Sequence, residues 1–279
     1  MLIEHNLNIR QACLCVSIQR CVYYYQKTKN EAKAKEDELL AEQIRSLAHK
    51  HSKRGFPMIY KLLRRQGATA NRKRVYRIYS ELGLALRRKK IKQRIPDRIK
   101  EQLVIPRLPN EVWSMDFMSD GLQSGRKFRT LNIIDDFNRE LLDIVIDISI
   151  SAHKVVEALD GIVFWRGKPK EIRVDNGSEF ISHVLDDWAK RNSVTMKFIQ
   201  KGKPTQNGLI ERFNRSYRED VLDAYVFANL QEVRAVTDEW IAHYNYERPH
   251  GSLGDLTPAE YLEKYHQNKE EDFIQNVAN

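Results

Sequence analysis

The chain has 279 residues, of which 42% are hydrophobic and 30% charged, and its net charge at pH 7 is +9. This composition is ordinary for a globular protein, and the length allows two or three domains. No apolar run approaches the roughly 18 residues of a membrane span, and the N-terminus lacks a signal-peptide pattern. We therefore expect a cytoplasmic protein with no membrane contact.

Positive charge is concentrated in the first part of the chain. Residues 1–100 carry 25 Lys/Arg and 8 Asp/Glu, which leaves 22 and 30 for the remaining residues. A basic region suits a polyanion, because phosphates neutralised by cations release counterions. The acidic remainder needs another reason to approach a polyanion, and carboxylates that hold divalent metal would supply it.

Three cysteines, Cys13, Cys15 and Cys21, lie close together near the N-terminus. Their number is odd and no histidine stands at the spacing of a zinc finger, so a structural zinc site is not expected. We interpret them as small core residues of a short helical unit.

The first part of the sequence is typical of short helices separated by tight turns. Residues 6–26 hold two apolar-periodic stretches with a break at Ser17, which favours a helix-turn-helix unit within residues 1–30. The next predicted helices cover 36–51, 57–67 and 71–84. Asparagine and glycine residues at their ends supply capping signals, and we assign residues 31–86 to a helical DNA-binding domain.

The last of these helices carries a basic face. Its cations are Arg72, Lys73, Arg74 and Arg77, around an apolar stripe of Val75, Ile78, Tyr79 and Leu82. A basic second helix after a glycine turn is expected of a recognition helix in the major groove, whereas the alternative is a solvated face of a structural bundle. We favour DNA contact, because a further basic run follows at once: Arg87, Arg88, Lys89 and Lys90. Residues 87–108, which also contain prolines, are interpreted as a linker.

The second part changes from helical to strand periodicity. Strand-like stretches occur at 112–118, 127–137, 140–150, 171–174 and 194–199, and helical ones at 151–165, 178–192 and 205–222. Three antiparallel strands, continued by parallel ones through helical crossovers, make an α/β fold with a mixed five-stranded sheet and flanking helices. This is the element order of the ribonuclease H fold. We assign it to residues 109–265, preceded by the all-α region and followed by a polar tail, 266–279.

Two aspartates stand where this fold would bring them together. Asp116 lies inside the first strand among apolar neighbours, where a charge is costly unless it is paired or bound to metal. Asp175 follows the fourth strand, which would lie beside the first. Asn176 and Gly177 are expected to shape the turn that aims this carboxylate, and Ser178 to cap the next helix.

A third carboxylate, Glu211, follows after 35 intervening residues. At 100° per residue, the buried stripe of its helix consists of Ile210, Phe213, Tyr217 and Val221. Glu211, Arg215 and Arg218 fall on a separate face, which suits a metal ligand beside groups that grip a scissile phosphate. The preceding loop adds a basic rim, made of Lys201 and Lys203.

Three such carboxylates can hold two Mg²⁺ or Mn²⁺ ions about 4 Å apart. One ion then activates water or a 3′-hydroxyl, and the other stabilises the leaving oxygen of a displacement at phosphorus. Oxygen ligands without thiolate or imidazole favour these metals over zinc.

Five motifs resemble, in order and spacing, the catalytic core of the DDE integrases and transposases: "WSMDF", "DDFNRE", "VDNGSEF", "GKPTQNGLIERFNRSYRED" and "YNYERPHGSLGDLTPAEY". Within that superfamily, the chain is similar to the second reading frame of bacterial insertion-sequence transposases of the insertion-sequence-three type. The segment from "HSKRGF" to "LALRR" resembles the helix-turn-helix that precedes their core. Ser17 stands where relatives commonly have glycine.

The resemblance implies that Asp116, Asp175 and Glu211 form a metal-binding catalytic triad and that Arg218 contacts DNA near the cleavage site. It implies cleavage of one strand at each element end, followed by attack of the freed 3′-hydroxyl on another phosphodiester. Implied partners are double-stranded DNA and an upstream reading-frame product, to which ribosomal frameshifting would fuse this chain. We also expect a homodimer, since two ends must be brought together, and association with the bacterial nucleoid.

Two other functions stay open on the sequence alone. The chain could be a non-catalytic DNA-binding regulator of the element, or a ribonuclease H-like nuclease without strand transfer. Among further polar residues, Asp135 and Asp136 are expected to be solvated at a hairpin end. Arg248, in the elbow at residues 244–253, is a secondary candidate for DNA contact.

Overall fold

The chain forms two compact units in a computed structural model that describes residues 8–23, 31–86, 106–177, 179–199 and 207–278. The first unit comprises Met1–Ser46 and Ala70–Leu84, and the second comprises Leu47–Thr69 and Ala85–Asn279. The long helix α3 (Glu31–Lys50) contributes residues to both. Within the described ranges, no helix is both long enough and apolar enough to cross a membrane.

The first unit begins with two short helices, as the periodicity predicts. Helix α1 (Ile9–Cys15) begins at a capping box, in which the Asn8 side chain and the Gln11 side chain each accept from the other residue's backbone N–H. Helix α2 covers Arg20–Tyr23. Between them Ser17 has a φ of 54°, in the left-handed region that favours glycine. The backbone therefore accounts for the glycine that relatives commonly have there.

The cysteines of this unit differ in their environments. Cys13 is buried, whereas Cys15 and Cys21 are exposed, and all three are free thiols. Cys13 is the buried residue of α1, because this short helix buries a single narrow face. The interpretation of all three as core residues is therefore wrong for Cys15 and Cys21.

Helix α5 (Arg72–Glu81) has the cap and the apolar stripe that its sequence predicts. The Asn71 side chain accepts from the backbone N–H of Lys73 at 2.9 Å, which satisfies one of the first helical amides. The buried side chains are Val75, Ile78 and Tyr79. The basic residues of the helix therefore lie on its remaining, more exposed surface.

Helix α4 (Phe56–Arg65) and the residues just before it belong to the second unit. Charge pairs fix them there: Arg54 with Asp220, Lys61 with Asp255, and Arg65 with Glu260. The helical DNA-binding domain predicted at 31–86 is therefore divided between the two compact units. The domain boundaries expected from the sequence stay a prediction.

The second unit is built on a five-stranded mixed sheet. Its strands are β1 (Val112–Gly121), β2 (Lys127–Asp135), β3 (Leu141–Asp147), β4 (Glu171–Val174) and β5 (Thr195–Phe198). Their spatial order is β3-β2-β1-β4-β5. The first three strands pair antiparallel, whereas β4 pairs parallel with β1 and β5 parallel with β4. The predicted hairpin and the predicted neighbours β1 and β4 are both confirmed.

Helices cover both faces of this sheet. They are α6 (Ala152–Arg166), α7 (His183–Asn192), α8 (Gly208–Tyr217), α9 (Leu230–Ala242) and α10 (Pro258–Ala278). One apolar cluster joins Met115 and Ile133 of the sheet to α6 and α7, and a second joins Met118 and Ile134 to α8 and α9. Neighbouring residues of a strand point to opposite faces, so apolar residues on both faces of β1 and β2 give the sheet two cores.

Two predicted helices have different bounds in the structure. Helix α7 begins at His183 and not at residue 178, because Ser182 caps it by accepting from the backbone N–H of Leu185. The predicted cap, Ser178, lies outside the described residues. The predicted helix at 205–222 is α-helical only over α8, and a π-helical turn, Arg218–Leu222, follows it directly.

The acidic residues at the end of β2 are buried and not solvated as expected. Asp135 accepts from the backbone N–H groups of Asn110 and Phe137 at 2.9 Å. Asp136 accepts from the buried guanidinium of Arg173 at 2.9 Å. A buried carboxylate needs such partners, and two of them, Asn110 and Arg173, come from other parts of the chain.

Candidate active site

Asp116 lies in the middle of β1 with a half-buried side chain held by two hydrogen bonds. Its Oδ1 accepts from the backbone N–H of Phe117 at 2.9 Å, and its Oδ2 accepts from Nδ2 of Asn214 at 2.7 Å. The carboxylate is therefore fixed in direction before anything binds to it.

Asn214 connects this carboxylate to a second strand. Its Oδ1 accepts from Nδ2 of Asn132 at 2.7 Å, and Asn132 is the residue of β2 paired with Asp116. Both amides are buried. A chain of two hydrogen bonds thus joins β2, α8 and β1 at one position.

Glu211 is brought to the same place by helix α8. It lies three residues before Asn214, so the two side chains lie on neighbouring positions of one helical face. The predicted buried stripe of the helix is confirmed, since Ile210, Phe213, Tyr217 and Val221 are all buried. Glu211 itself is exposed, which leaves its carboxylate available to a ligand.

Asp175 directly follows β4, which is the parallel neighbour of β1. Ser114 of β1 pairs with Arg173 of β4, so Asp116 and Asp175 lie two residues further along their parallel strands. The backbone N–H of Gly177 donates to Oδ1 of Asp175 at 2.9 Å. A Cβ at position 177 would lie 2.9 Å from that oxygen, so only glycine permits this contact without a shift.

The turn after Asp175 is also held from the neighbouring strand. The Asn176 side chain donates from Nδ2 to the carbonyl oxygen of Ile199 at 2.8 Å. In addition, Glu179 forms an ion pair with Arg129, whose guanidinium lies over the Phe117 ring at 4.4 Å from its centroid. These contacts surround Asp175 with groups from three strands or their ends.

The three carboxylates influence one another electrostatically. Burial, together with the negative charges of Asp175 and Glu211, raises the pKa of Asp116 from 3.8 to about 6. The hydrogen bonds from Phe117 and Asn214 act in the opposite direction. A cation between these groups would remove the repulsion and restore the ionised form of Asp116.

The chemistry of the donor set fits a hard divalent cation. The three side chains offer carboxylate oxygens, which Mg²⁺ and Mn²⁺ prefer over the nitrogen and sulfur ligands of zinc. Among the residues that the structure describes, no three carboxylate, imidazole or thiolate groups lie close enough together to hold one ion.

Family models match much of the chain. The integrase core domain matches residues 106–204 and again 192–258, and the HTH-like domain matches residues 34–92. The 31.7 kDa protein of insertion element IS407 from Burkholderia multivorans is 43% identical over 93% of this chain and 92% of its own length. The chain belongs to the bacterial insertion-sequence transposases of the insertion-sequence-three type.

Other relatives agree with this assignment. The 39.2 kDa protein of insertion element IS476 from Xanthomonas euvesicatoria is 35% identical over 95% of this transposase and 75% of its own length. The transposase for insertion sequence element IS904 from Lactococcus lactis is 25% identical over 82% and 95%. The chain is thus an enzyme with a DDE integrase core, and its helix-turn-helix-like domain makes it a DNA-binding protein.

Solved retroviral integrase cores are also similar to the transposase. The HTLV-2 integrase catalytic core domain in complex with magnesium is 18% identical, with a TM-score of 0.45, over 55% of this chain and 97% of that one. The catalytic core domain of BIV integrase is 21% identical, also with a TM-score of 0.45, over 57% and 99%.

The transposase holds Arg218 and Arg215 in different environments. Arg218 donates to the carbonyl oxygen of Ser119 at 2.9 Å and pairs with Asp120 at 3.3 Å, both at the end of β1. Arg215 is exposed on α8 one turn after Glu211. The backbone N–H of Arg218 still donates to the carbonyl oxygen of Asn214, so Arg218 ends α8 in α-helical register with Glu211 and Arg215, and the π-helical turn follows it.

The predicted DNA contacts in the first unit are partly engaged with carboxylates. Arg74 and Arg77 both pair with Asp37 of α3, at 2.6 and 2.5 Å. Lys73 is exposed, as is Arg72 on the same helix. The remaining candidates, Lys201, Lys203, Arg87, Arg88, Lys89 and Lys90, lie outside the described residues.

Two residues of the site escaped the sequence analysis, Asn132 and Asn214. Asn214 carried a detectable signal, because it follows Glu211 by three residues and so shares its helical face. Asn132 carried less, because its role depends on the pairing register of β1 with β2. Polar residues inside an apolar strand and helix were the only sign that both would be buried.

Proposed function

We propose that this transposase cleaves DNA strands at the ends of its insertion sequence and transfers the freed 3′-hydroxyls to new phosphodiesters, with Asp116, Asp175 and Glu211 as metal ligands. The observation that carries the proposal is the hydrogen bond from Asn214 to Asp116. It joins α8 to β1, and so supports a shared site for Glu211, Asp116 and Asp175.

The protein residues would act mainly by position and charge. Asp116 is common to two carboxylate pairs, one with Asp175 and one with Glu211, and we propose two Mg²⁺ or Mn²⁺ ions for each site. Bound there, divalent cations would supply activation of water or a 3′-hydroxyl and stabilisation of the leaving oxygen. The fixed direction of Asp116 would keep both pairs aligned, and Arg215 would lie one turn away to meet a phosphate of the DNA.

DNA recognition would rest on the basic first part of the chain. We propose that Arg72 and Lys73 contact double-stranded DNA, and that Arg74 and Arg77 do so after exchanging Asp37 for phosphate. Arg218, paired with Asp120, would make a similar exchange near the cleaved bond. We further propose two copies in the synaptic complex and fusion to an upstream reading-frame product, within the bacterial nucleoid.

Cleavage of a supercoiled plasmid that carries the element's flanking DNA tests the proposal. Purified wild-type protein with Mg²⁺ should nick the element ends and join them, and Glu211→Gln should bind the ends without doing either. Glu157→Gln is the matched control, since Glu157 is exposed on α6 and far in sequence from the three carboxylates.

The products separate the possible outcomes. Full activity of Glu211→Gln would refute the carboxylate assignment. Nicking without joining would point to a nuclease without strand transfer. If the wild type binds without cleaving and the fusion to the upstream product cleaves, the activity belongs to the fusion protein. If the fusion also binds without cleaving, the result favours a non-catalytic regulator.

A further inference from the structure

A small cavity of about 50 Å³ lies beside α8, and none of the three carboxylates lines it. Its walls come from the turn between β2 and β3, from α8 and from the loop that follows α9. The polar groups that matter are Arg139, Arg212, Ser216, Tyr244, Arg248 and His250. The described residues that line it include no aspartate or glutamate. The cavity is therefore surrounded by cations without a lining anion.

Arg139 is the buried cation of this cavity. Only 7% of its surface is exposed, and its Nε and Nη1 atoms make no hydrogen bond within the described structure. Its backbone φ is 62°, so the turn holds the side chain in place through a left-handed conformation. Buried guanidinium nitrogens without hydrogen bonds are costly, and native proteins rarely leave them unsatisfied.

The nearest carboxylate does not satisfy Arg139. Asp136 attracts it electrostatically but accepts a hydrogen bond from Arg173 instead, at 2.9 Å. Burial lowers the pKa of Arg139, and the positive charge of Arg212 contributes in the same direction. The positive charge of Arg139 is therefore attracted by Asp136 but is not neutralised by a hydrogen-bonded carboxylate among the described residues.

Two further basic residues complete the wall. Arg212 is exposed at the mouth of the cavity, and Arg248 is held beside it by Ser216, whose Oγ accepts from Nη2 of Arg248 at 3.0 Å. The Nε2 atom of His250 is buried without a hydrogen-bond partner, while its ring is hydrogen-bonded to the backbone of Tyr244. Burial and the positive charge of Arg248 lower the pKa of His250 to about 3, so its ring is neutral, and it donates from Nε2 only where a bound anion restores its proton.

We infer that this cavity binds a phosphate-sized oxyanion, held by Arg139 and Arg212 and bordered by His250 and by Arg248, which is also paired with Asp220 at 3.4 Å. A cavity of this volume accepts a small ion but not a nucleoside. Water could occupy the same space, since a water takes about 30 Å³ in the liquid, but water would not neutralise the guanidinium groups. Planar guanidinium donors match the oxygens of phosphate in pairs.

Isothermal titration with inorganic phosphate tests this site, in metal-free buffer with ionic strength held constant by sodium chloride. The wild type should show one saturable site per chain. Arg139→Gln should abolish it, and Arg212→Gln should weaken it at least about tenfold, which is about 1.4 kcal/mol. Arg126→Gln is the matched control, because Arg126 is exposed in the turn between β1 and β2, outside the cavity.

Two results would overturn the inference: no saturable phosphate binding by the wild type, or equal binding by wild type and Arg212→Gln. Arg212 is exposed, so its variant should fold and decide the question even if Arg139→Gln does not. Glu211→Gln should bind phosphate normally, which separates this cavity from the carboxylate site and from the proposed catalysis.

A duplex-binding experiment identifies the source of the oxyanion. If Arg212→Gln weakens binding of a DNA duplex, and phosphate competes with that duplex on the wild type, the cavity takes a backbone phosphodiester. If duplex binding is unchanged while phosphate binding is weakened, the ligand is free phosphate or the phosphate group of a small molecule.

Discussion

Replacing Asp116 by asparagine should stabilise the metal-free transposase at pH 8, and the gain should shrink as the pH falls from 7 to 4. The folded protein raises the pKa of Asp116 to about 6, whereas an unfolded chain ionises near the ordinary 3.8. Between these values the folded state binds more protons, so its stability falls as the pH rises through this window. Asparagine carries no charge and is free of this penalty.

The magnitude follows from the size of the shift. One pKa unit corresponds to about 1.4 kcal/mol, so the ionised carboxylate costs the folded state about 2 to 3 kcal/mol above pH 7 once partial exposure to solvent is allowed for. The hydrogen bonds of Asp116 can survive the change, because the amides of Asn214 and Asn132 can rotate together and the Asn132 Oδ1 has no other described partner.

Urea unfolding in EDTA, followed by tryptophan fluorescence from pH 4 to pH 8, measures this effect. All four tryptophans lie in the second compact unit, so their fluorescence reports on the unit that holds Asp116. Asp187→Asn is the control, because Asp187 is exposed on α7 and its replacement should change stability by less than about 0.5 kcal/mol.

Equal stability of wild type and Asp116→Asn at pH 8 would refute the reasoning, and so would a difference that does not vary with pH. Addition of Mg²⁺ offers an internal comparison. It should raise the stability of the wild type more than that of the variant, because the ion binds the folded form with an intact carboxylate more tightly.

Three further changes have defined outcomes. Gly177→Ala should lower end cleavage at least about tenfold with little loss of stability, measured by plasmid nicking and thermal unfolding, because the added Cβ displaces the Asp175 carboxylate. Asn214→Ala should lower the free energy of unfolding by about 1 to 3 kcal/mol and also reduce cleavage, because it leaves the amide of Asn132 unpaired. Unchanged values in both assays would show that the hydrogen bonds joining Asn132, Asn214 and Asp116 are unimportant. Lys73→Gln should reduce the slope of log affinity against log salt by about 1 in a duplex-binding titration, and an unaltered slope would exclude a phosphate contact.

Much of the sheet and the apolar stripe of α8 could be predicted because their signals are local. Apolar periodicity predicts the order of strands and helices along the chain. The parallel pairing of β1 with β4 follows from the helical crossover between them. Glu211 was placed correctly on an exposed helical face, because the apolar stripe of α8 is regular over Gly208–Tyr217.

The errors arise where a residue depends on distant partners. Asp136 looks solvated in the sequence, yet it is buried because Arg173, from another strand, supplies its counter-charge. The start of α7 depends on which of two serines caps it, and Ser182 does so. The π-helical turn after Tyr217 has no periodic signature, so the sequence predicted a regular helix to residue 222, and the pairing of Arg218 with Asp120 depends on a strand distant in sequence.

That π-helical turn makes the segment unusually intolerant of a change in chain length. A π-helical turn holds one residue more than an α-helical one, and here it is closed by the hydrogen bond from the backbone N–H of Asp223 to the carbonyl oxygen of Arg218. Asp220 lies inside this turn, and there it accepts from Arg54, Trp240 and Arg248. Loss of a single residue between 218 and 222 would therefore leave three donors without their shared acceptor, whereas loss of one from an ordinary surface loop would cost little.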